Sequence, residues 1–147
     1  MRTYFVAASQ PNVGLTSVSL GLVRALQQCG LKVAFVKPVT KGTPETEPSV
    51  LFARSICQLE NTPDPLPMSL VTHQITSGHT DELLENVVSL AMSVSEGADV
   101  LVVEGIHADP SRYFIPRLST DIARSLQAEV VVVASGMDAE GITQTSE

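Results

Sequence analysis

The stretch that decides the fold is TYFVAASQPNVGLTSVSLGLVRALQQ, which occupies residues 3–28. It opens with an unbroken apolar run, residues 4–8, of the kind found in strands that are buried on both faces of a parallel sheet. A polar turn, residues 9–12, leads into a segment with helical periodicity. A strand, a tight turn and a helix in that order form the context in which a phosphate-binding loop occurs.

The helical segment predicts a core-facing stripe, because its apolar residues recur at three- and four-residue intervals. The predicted stripe consists of Leu15, Val18, Leu22, Leu26 and Cys29. Gly30 stands where a left-handed C-terminal cap is expected.

The turn before this helix has only part of a phosphate-binding loop. Such a loop needs backbone N–H groups at a helix N-terminus, a lysine for the β- and γ-phosphates and a hydroxyl for magnesium. Gly14 allows close approach of the backbone, and the hydroxyl of Thr16 is in place for magnesium, with Ser17 beside it. Leu15 occupies the lysine position, and the opening glycine is absent. Two interpretations stay open: a turn that only joins strand to helix, or a weak anion site on the backbone amides.

Three further apolar runs, residues 31–36, 99–103 and 129–134, predict strands that alternate with helices. The predicted helices run from Val50 to about Leu59 with Ser49 as N-cap, from Thr80 to Gly97, and through a segment with Pro116 in its first turn. Residues 61–67 are predicted to be an extended connection, and residues 135–147 are polar. This alternation predicts an α/β fold with a mostly parallel sheet and helices on both faces.

Two charged residues close predicted strands. Lys37 ends the second strand and Glu104 closes the third, and the carboxyl ends of parallel strands meet at one edge of a sheet. Lys37 can therefore replace the missing loop lysine as a phosphate ligand, or it is an ordinary solvated lysine. Glu104 is, with Thr16, a candidate magnesium ligand, or it pairs with Lys37 or caps the loop that follows.

Composition restricts the classes of function. With 147 residues the chain is the size of one domain, and its net charge of −7 argues against nucleic acid as a partner. No apolar run approaches the roughly 20 residues that span a bilayer, so we expect no membrane association and a cytoplasmic location. Cys29 and Cys57 are predicted to be buried thiols, and the histidines lack the spacing of a zinc site.

Four segments together resemble the N-terminal domain of the long form of bacterial phosphate acetyltransferase: VGLTSVSLGLVRAL, VAFVKPV, DVLVVEG and STDIARSLQAEVVVVAS. That domain is itself similar to dethiobiotin synthetase, a P-loop ATPase-like ligase. Gly14 and Thr16, the Lys-Pro-Val at 37–39 and the Glu-Gly at 104–105 match the synthetase pattern. The resemblance implies one P-loop NTPase-like domain over residues 1–147, the N-terminal part of a longer chain.

The resemblance also implies a function. In the acetyltransferase family a separate C-terminal domain transfers the acyl group between acetyl-CoA and phosphate, and the N-terminal domain is associated with assembly and the response to metabolites. We therefore expect no catalytic residue and no required cofactor here, with magnesium, a nucleotide or a small anion as weak ligands at most. The implied partners are the acyltransferase domain and further copies of the chain. The alternatives are a nucleotide-dependent ligase that uses Lys37, and a stand-alone metabolite sensor.

Overall fold

The computed structural model describes residues 1–136 as a sheet flanked by helices. In the described residues the strands are β1 (Arg2–Ala8), β2 (Val33–Val36), β3 (Val39–Thr40), β4 (Leu66–Pro67), β5 (Val100–Glu104) and β6 (Glu129–Val133). The helices are α1 (Leu15–Gln28), α2 (Pro48–Ser55), α3 (Met68–Thr76), α4 (Thr80–Ser95) and α5 (Ile115–Ser125). A 3-10 turn, Pro44–Thr46, lies between β3 and α2.

The main sheet has four strands in the order β2-β5-β1-β6, and all of its pairs are parallel. The two short strands β3 and β4 form a separate parallel pair. The α/β prediction with a parallel sheet is confirmed. Because all strands of the main sheet point the same way, the residues after β1, β2 and β5 gather at one edge.

Alternate side chains of each strand enter two different cores. On one face, Phe5 of β1 packs with residues of β2 and β5 beneath α3, α4 and α5. On the other face, Val6 packs with Leu15 and Val23 of α1 and with Ala53 of α2. Each fully buried side chain of this size stabilises the fold by about 1.5–3 kcal/mol, so the helices are held to the sheet mainly by these two apolar layers.

Several sequence predictions about the helices were wrong in detail. Ser49 lies inside α2 rather than capping it, because α2 begins at Pro48 and its N-cap is Glu47. The buried residues of α1 are Leu15, Ser19 and Val23, whereas Val18 and Cys29 are exposed. Leu15 of the predicted stripe is buried, and Leu22 and Leu26 pack against the same core cluster, so the prediction is wrong only for Val18 and Cys29.

The connection between β2 and α4 holds the elements that the sequence did not predict. Leu66–Pro67 forms β4 beside β3, and α3 follows directly at Met68. The prolines before Met68 hid this helix, because a Pro-rich segment predicts an extended chain. Cys57 is buried as predicted, and burial raises the pKa of its thiol. The polar segment predicted for residues 135–147 lies, from residue 137 on, outside the described residues.

Candidate functional site

The turn after β1 places a glycine in the conformation that the start of α1 requires. Gly14 has φ of +80° and ψ of +34°, a left-handed conformation that glycine adopts without strain. Its carbonyl accepts the first hydrogen bond of α1, from the N–H of Val18, at 3.0 Å. In the same turn Pro11 has no N–H, and the N–H of Ser9 donates to the carbonyl of Val133 at 3.0 Å. The turn therefore offers fewer free donors than a complete phosphate-binding loop.

Leu15 is a core residue. Its side chain is buried and packs with Val6, Val23 and Phe35 between α1 and the sheet. A lysine at this position would have to turn its ammonium out of that cluster to reach a ligand. Compared with the lysine of a complete phosphate-binding loop, Leu15 thus removes a positive charge from the loop and adds apolar contact to the core.

Lys37 and Glu104 form a buried ion pair at the carboxyl ends of β2 and β5. The side chains are 2% and 0% exposed, respectively, and Lys37 Nζ donates to Glu104 Oε2. Lys37 is therefore not the solvated lysine of one sequence interpretation, and the pairing of Glu104 with Lys37 is confirmed. The two residues lie 67 positions apart and meet because β2 and β5 are neighbours in the sheet.

Two hydroxyl groups complete the contacts of Glu104. Ser49 of α2 donates to Glu104 Oε2 at 2.8 Å, and Thr16 of α1 donates to the same oxygen at 3.4 Å. The oxygens of these two hydroxyl groups lie 3.1 Å apart. The other oxygen, Glu104 Oε1, is buried and has no hydrogen-bond partner among the described residues. All donors thus converge on one side of the carboxylate.

A second carboxylate, that of Glu47, lies against Lys37. Glu47 Oε1 is 3.3 Å from Lys37 Nζ, and Thr40 donates to Glu47 Oε2. Burial by itself raises the pKa of Glu47, but the hydrogen bond from Thr40 and the charge of Lys37 together hold that pKa below its ordinary value of 4.5. Glu47 is therefore charged at neutral pH, and the cluster holds one lysine against two glutamates.

His107 stands at the border of this cluster, with Nε2 3.9 Å from Glu104 Oε2. Burial lowers the pKa of His107 below its ordinary value of 6.5, and the charge of Lys37 lowers it further against the opposite effect of Glu104. The imidazole is thus neutral at physiological pH. It adds no positive charge to compensate the second carboxylate.

An opening of about 320 Å³ lies beside the cluster, between the turn after β1 and the loops after β2 and β5. Lys37, Glu47 and His107 line it together with Lys41. Lys41 lies 3.4 Å from Asp109, whose carboxylate also accepts hydrogen bonds from Ser111 and Arg112. The bonds from Ser111, followed by that from Arg112, hold the pKa of Asp109 well below its usual range. The second lysine of the opening therefore also faces a carboxylate.

The structure brings together three of the predicted site residues and adds three that were missed. Thr16, Lys37 and Glu104 meet in the cluster, whereas Ser17 is exposed and is not among its contacts in the described residues. The missed residues are Thr40, Glu47 and Ser49. They lie in or next to a polar, Pro-rich loop, and no spacing in the sequence distinguishes them from its other polar residues.

The turn after β1 and the cluster around Lys37 do not fit the triphosphate of a nucleotide in the arrangement that the structure shows. The loop lysine is replaced by a core leucine, and the charge of Lys37 is already opposed by two carboxylates. They do not fit a divalent cation either, because Glu104 Oε2, the oxygen that accepts from Thr16 and Ser49, already accepts from the ammonium of Lys37. Within residues 1–136, no three His, Cys, Asp or Glu side chains are grouped so that they could hold a metal ion. No helix in the same range is long and apolar enough to cross a membrane.

The chain is similar in sequence to phosphate acetyltransferases from several bacteria. Phosphate acetyltransferases from Deinococcus radiodurans and Pseudomonas aeruginosa are 40% identical to this chain over 137 and 139 residues, 92% of its length in each case. The phosphate acetyltransferase of Nitrosomonas europaea is 41% identical over 142 residues, 94% of the chain. The chain spans only about a fifth of the length of these relatives, between 19% and 20%.

The family comparison covers nearly the whole sequence. Residues 2–146 match the AAA_26 family of AAA domains, whose members are dethiobiotin-synthetase-like. The parallel sheet with helices on both faces and the strand–turn–helix at residues 2–28 agree with a P-loop NTPase-like fold. The chain therefore belongs to the AAA_26 family of AAA domains.

Proposed function

We propose that this chain is a non-catalytic domain of a phosphate acetyltransferase and that it serves assembly or regulation. On this proposal the transfer of an acetyl group between CoA and phosphate is performed by another domain of a longer protein. Relatives that carry that name and are about five times longer support the proposal. The observation that carries it is the internal neutralisation of Lys37 by Glu104 and Glu47.

A phosphate at this site would meet a net negative charge. Glu47 and Glu104 both contact the ammonium of Lys37, so the cluster has an excess of one negative charge. A phosphate placed beside Lys37 would be repelled by these carboxylates at the short distances at which buried charges interact most strongly. Catalysis of phosphoryl transfer needs the opposite arrangement, in which positive groups stabilise the phosphate oxygens.

Calorimetry with Mg-ATP tests the loss of nucleotide chemistry. We expect no saturable heat at about millimolar nucleotide, which corresponds to less than about 4 kcal/mol of binding free energy. Saturable binding that Gly14→Ala abolishes and Gly30→Ala leaves intact would overturn the proposal. Both glycines have positive φ and open space at the Cβ position, so the two substitutions introduce similar strain, and only the first lies at the loop.

Activity assays test the division of labour between domains. The purified chain is expected to show no acetyl transfer between acetyl-CoA and phosphate. In the longer Deinococcus radiodurans relative, removal of the part that this chain matches should leave acetyl transfer in place and change the oligomeric state or the response to metabolites. Complete loss of turnover in a folded, shortened enzyme would contradict a regulatory or assembly role.

The proposed function also implies particular partners, ligands and a location for the domain. We expect the domain to contact the acyltransferase domain of its own chain and to take part in a homo-oligomer, without nucleic acid or membrane partners. No cofactor is required for these roles. The proposed place of action is the cytoplasm. Sedimentation velocity on the longer protein and on this chain alone would measure how much of the assembly depends on the domain.

A second candidate function, binding of a nucleotide or small anion as in a ligase or metabolite sensor, is favoured by one feature. The opening of about 320 Å³ beside Lys37 also contains a second lysine, Lys41. A ligand that displaced Glu47 would expose the ammonium of Lys37 to the opening. This candidate predicts saturable heat with Mg-ATP or inorganic phosphate that Lys41→Met weakens, so the same calorimetry separates the two functions.

A further inference from the structure

Three large apolar side chains are exposed on the outer side of α2. Leu51 and Phe52 of the helix are 44% and 46% exposed, and Ile56 at its C-cap is 58% exposed. On the opposite side of α2, Ala53 and Cys57 are buried against the sheet. Phe52 and Ile56 are one helical turn apart and therefore lie on the same side of the helix. Leu51, Phe52 and Ile56 together form an apolar ridge, the α2 ridge.

Helix α1 runs beside α2 in the same direction. Near the starts of the two helices, the hydroxyl oxygens of Thr16 and Ser49 lie 3.1 Å apart. Near their ends, Gln27 Nε2 donates to the carbonyl of Cys57 at 2.9 Å. The outer sides of α1 and α2 therefore form one continuous surface.

The part of this surface that belongs to α1 is low. Ser17, Gly21 and Ala25 are exposed and recur every four residues, so they follow one side of the helix. A Cβ at Gly21 would meet no atom within 4 Å. These three residues form a strip of small side chains, the α1 strip, next to the α2 ridge.

The two helices carry no carboxylate. None of the 16 acidic residues of the chain lies in α1 or α2, and their charged residues are Arg24 and Arg54. Arg54 pairs with Asp64. The centres of protein interfaces are enriched in aromatic residues and arginine and depleted in Asp and Glu. In a chain with a net charge of −7, this surface lets two copies approach without bringing carboxylates of these helices together.

The α2 ridge lies far from the point at which the described chain ends. Arg54 donates to the carbonyl of Thr62, so α2 is held on the side of the sheet where β4 pairs with β3. The described residues end at residue 136, just past β6, which is the edge strand opposite β2. There Val130 and Val132 are exposed beside an apolar cleft of about 850 Å³ that adjoins α5. Polypeptide that follows residue 136 therefore starts at the other edge of the sheet from the α2 ridge.

We propose that two copies of this chain pair through the outer sides of α1 and α2, with the α2 ridge of each copy lying in the α1 strip of the other. A twofold axis makes such a surface complementary to itself, because each copy contributes one ridge and one strip. Small residues in the strip allow the close approach that packing of ridges into grooves requires. This pairing rests on the proposed function, in which the domain serves assembly, and it names the partner and the surface.

Sedimentation velocity of residues 1–147 at about 5 to 500 µM, which spans moderate affinities, tests the pairing. We expect a reversible dimer. Phe52→Lys/Ile56→Lys should raise its Kd at least about 30-fold, because the lysines would be buried in the interface without a partner. Met92→Lys is the matched control and should leave the Kd unchanged. Met92 is 62% exposed, and its helix α4 packs on the other face of the sheet.

A second variant fills the α1 strip and leaves the ridge intact. Gly21→Glu should keep the fold, because the Cβ position is open and glutamate favours helix more than glycine does. It should raise the Kd at least about tenfold, because it places a long, charged side chain where the partner's ridge would lie. Ser89→Glu, at an exposed position of α4, is its control. The milder pair Phe52→Ser/Ile56→Ser replaces the lysine pair if that pair does not fold.

Three outcomes would overturn the pairing. The first is a chain that stays monomeric at the highest concentration. The second is a dimer that the ridge pair and Gly21→Glu do not weaken, or that Met92→Lys weakens equally. The third is a monomer in which the ridge pair lowers the Tm only when the chain carries the polypeptide that its gene encodes beyond codon 147, because another part of the same molecule would then cover the ridge.

Failure of the proposed function is measured separately, by assays of Mg-ATP turnover and acetyl transfer on the same purified chain. Either activity would contradict a non-catalytic domain, whatever its oligomeric state. A chain that lacks both activities and remains monomeric would contradict only the pairing.

Discussion

Two regions on either side of the turn after β1 differ in how their buried groups are satisfied. On one side the ammonium of Lys37 is held by the carboxylates of Glu104 and Glu47, and these in turn accept hydrogen bonds from Ser49 and Thr40. On the other side the apolar cleft beside α5 and β6 is open. Pro11, Ile106 and Ala108 line both and separate them. A few shared residues thus separate a polar site whose lysine is paired from within and an open apolar cleft.

The difference follows from what each kind of group costs when it is left alone. An unpaired buried charge costs several kcal/mol, so a site that has lost its ligand must satisfy its charges with its own side chains. An exposed apolar surface costs much less per residue and can persist until another part of the polypeptide covers it. The pairing of Lys37 within the domain and the open apolar cleft are both consistent with these costs.

The largest expected effect comes from breaking the closed site. Lys37→Met should destabilise the domain by about 3–5 kcal/mol, because it leaves the carboxylates of Glu47 and Glu104 buried without their cation. Lys41→Met is the matched control, since Lys41 is partly exposed and a solvent-accessible ion pair such as that with Asp109 contributes little to stability. Denaturant unfolding of the two variants measures the difference. Equal losses of stability in the two variants would show that Glu47 and Glu104 do not depend on Lys37 for their burial.

Leu15→Ala tests whether the former lysine position now belongs to the core. Removing this buried side chain from its contacts with Val6 and Val23 should cost about 3 kcal/mol. Val18→Ala, one turn further along α1 and exposed, should change the free energy of unfolding by less than about 0.5 kcal/mol. The prediction fails if both variants unfold at the same denaturant concentration.

Gly105→Ala probes the backbone that joins the two regions. A Cβ at this position would lie 2.6 Å from the carbonyl oxygen of Val6 and 3.0 Å from the ring of Phe5, so β1 and β5 would have to separate. We expect a loss of about 1–3 kcal/mol. Gly21→Ala provides a control of opposite sign: Gly21 lies inside α1 with open space around it, and alanine there should stabilise the helix by about 0.5–1 kcal/mol. Thermal unfolding of the two variants should shift in opposite directions.

The smallest expected effect concerns acid. Because the pKa of Glu47 is lower in the folded state than its ordinary value of 4.5, its contribution to stability is complete above that pH and is lost as the pH falls through the lower, folded-state value. Glu47→Gln should therefore destabilise the domain at pH 7 by on the order of 1 kcal/mol, and the difference from the wild type should shrink below pH 4.5. Denaturant midpoints of both proteins between pH 3 and pH 7 measure this. If the difference in stability instead grew in acid, the pKa of Glu47 would be raised rather than lowered in the folded state.

Part of the candidate site was predictable because it depends on strand ends. Lys37 and Glu104 follow apolar strands in a sequence that predicts a parallel sheet, so their meeting at one edge follows from topology alone. Whether Lys37 is solvated or paired depends on whether its side chain is buried. That burial in turn depends on α2 folding over the strand ends. Ser49 and Glu47 enter the cluster through that helix and its preceding loop, and their short-range sequence pattern predicts only a cap or a polar loop.

By itself the sequence determined the class of the fold, the strand–turn–helix with Gly14 at its bend and the loss of the loop lysine at Leu15. These depend on local properties: apolar runs, glycine at positive φ and the identity of one side chain. The order β2-β5-β1-β6, the closure of the cluster around Lys37 and the uncovered face of β6 were decided only by tertiary structure. The reason is physical, because adjacency, burial and exposure arise from contacts between residues far apart in the chain, whose free energies no local pattern specifies.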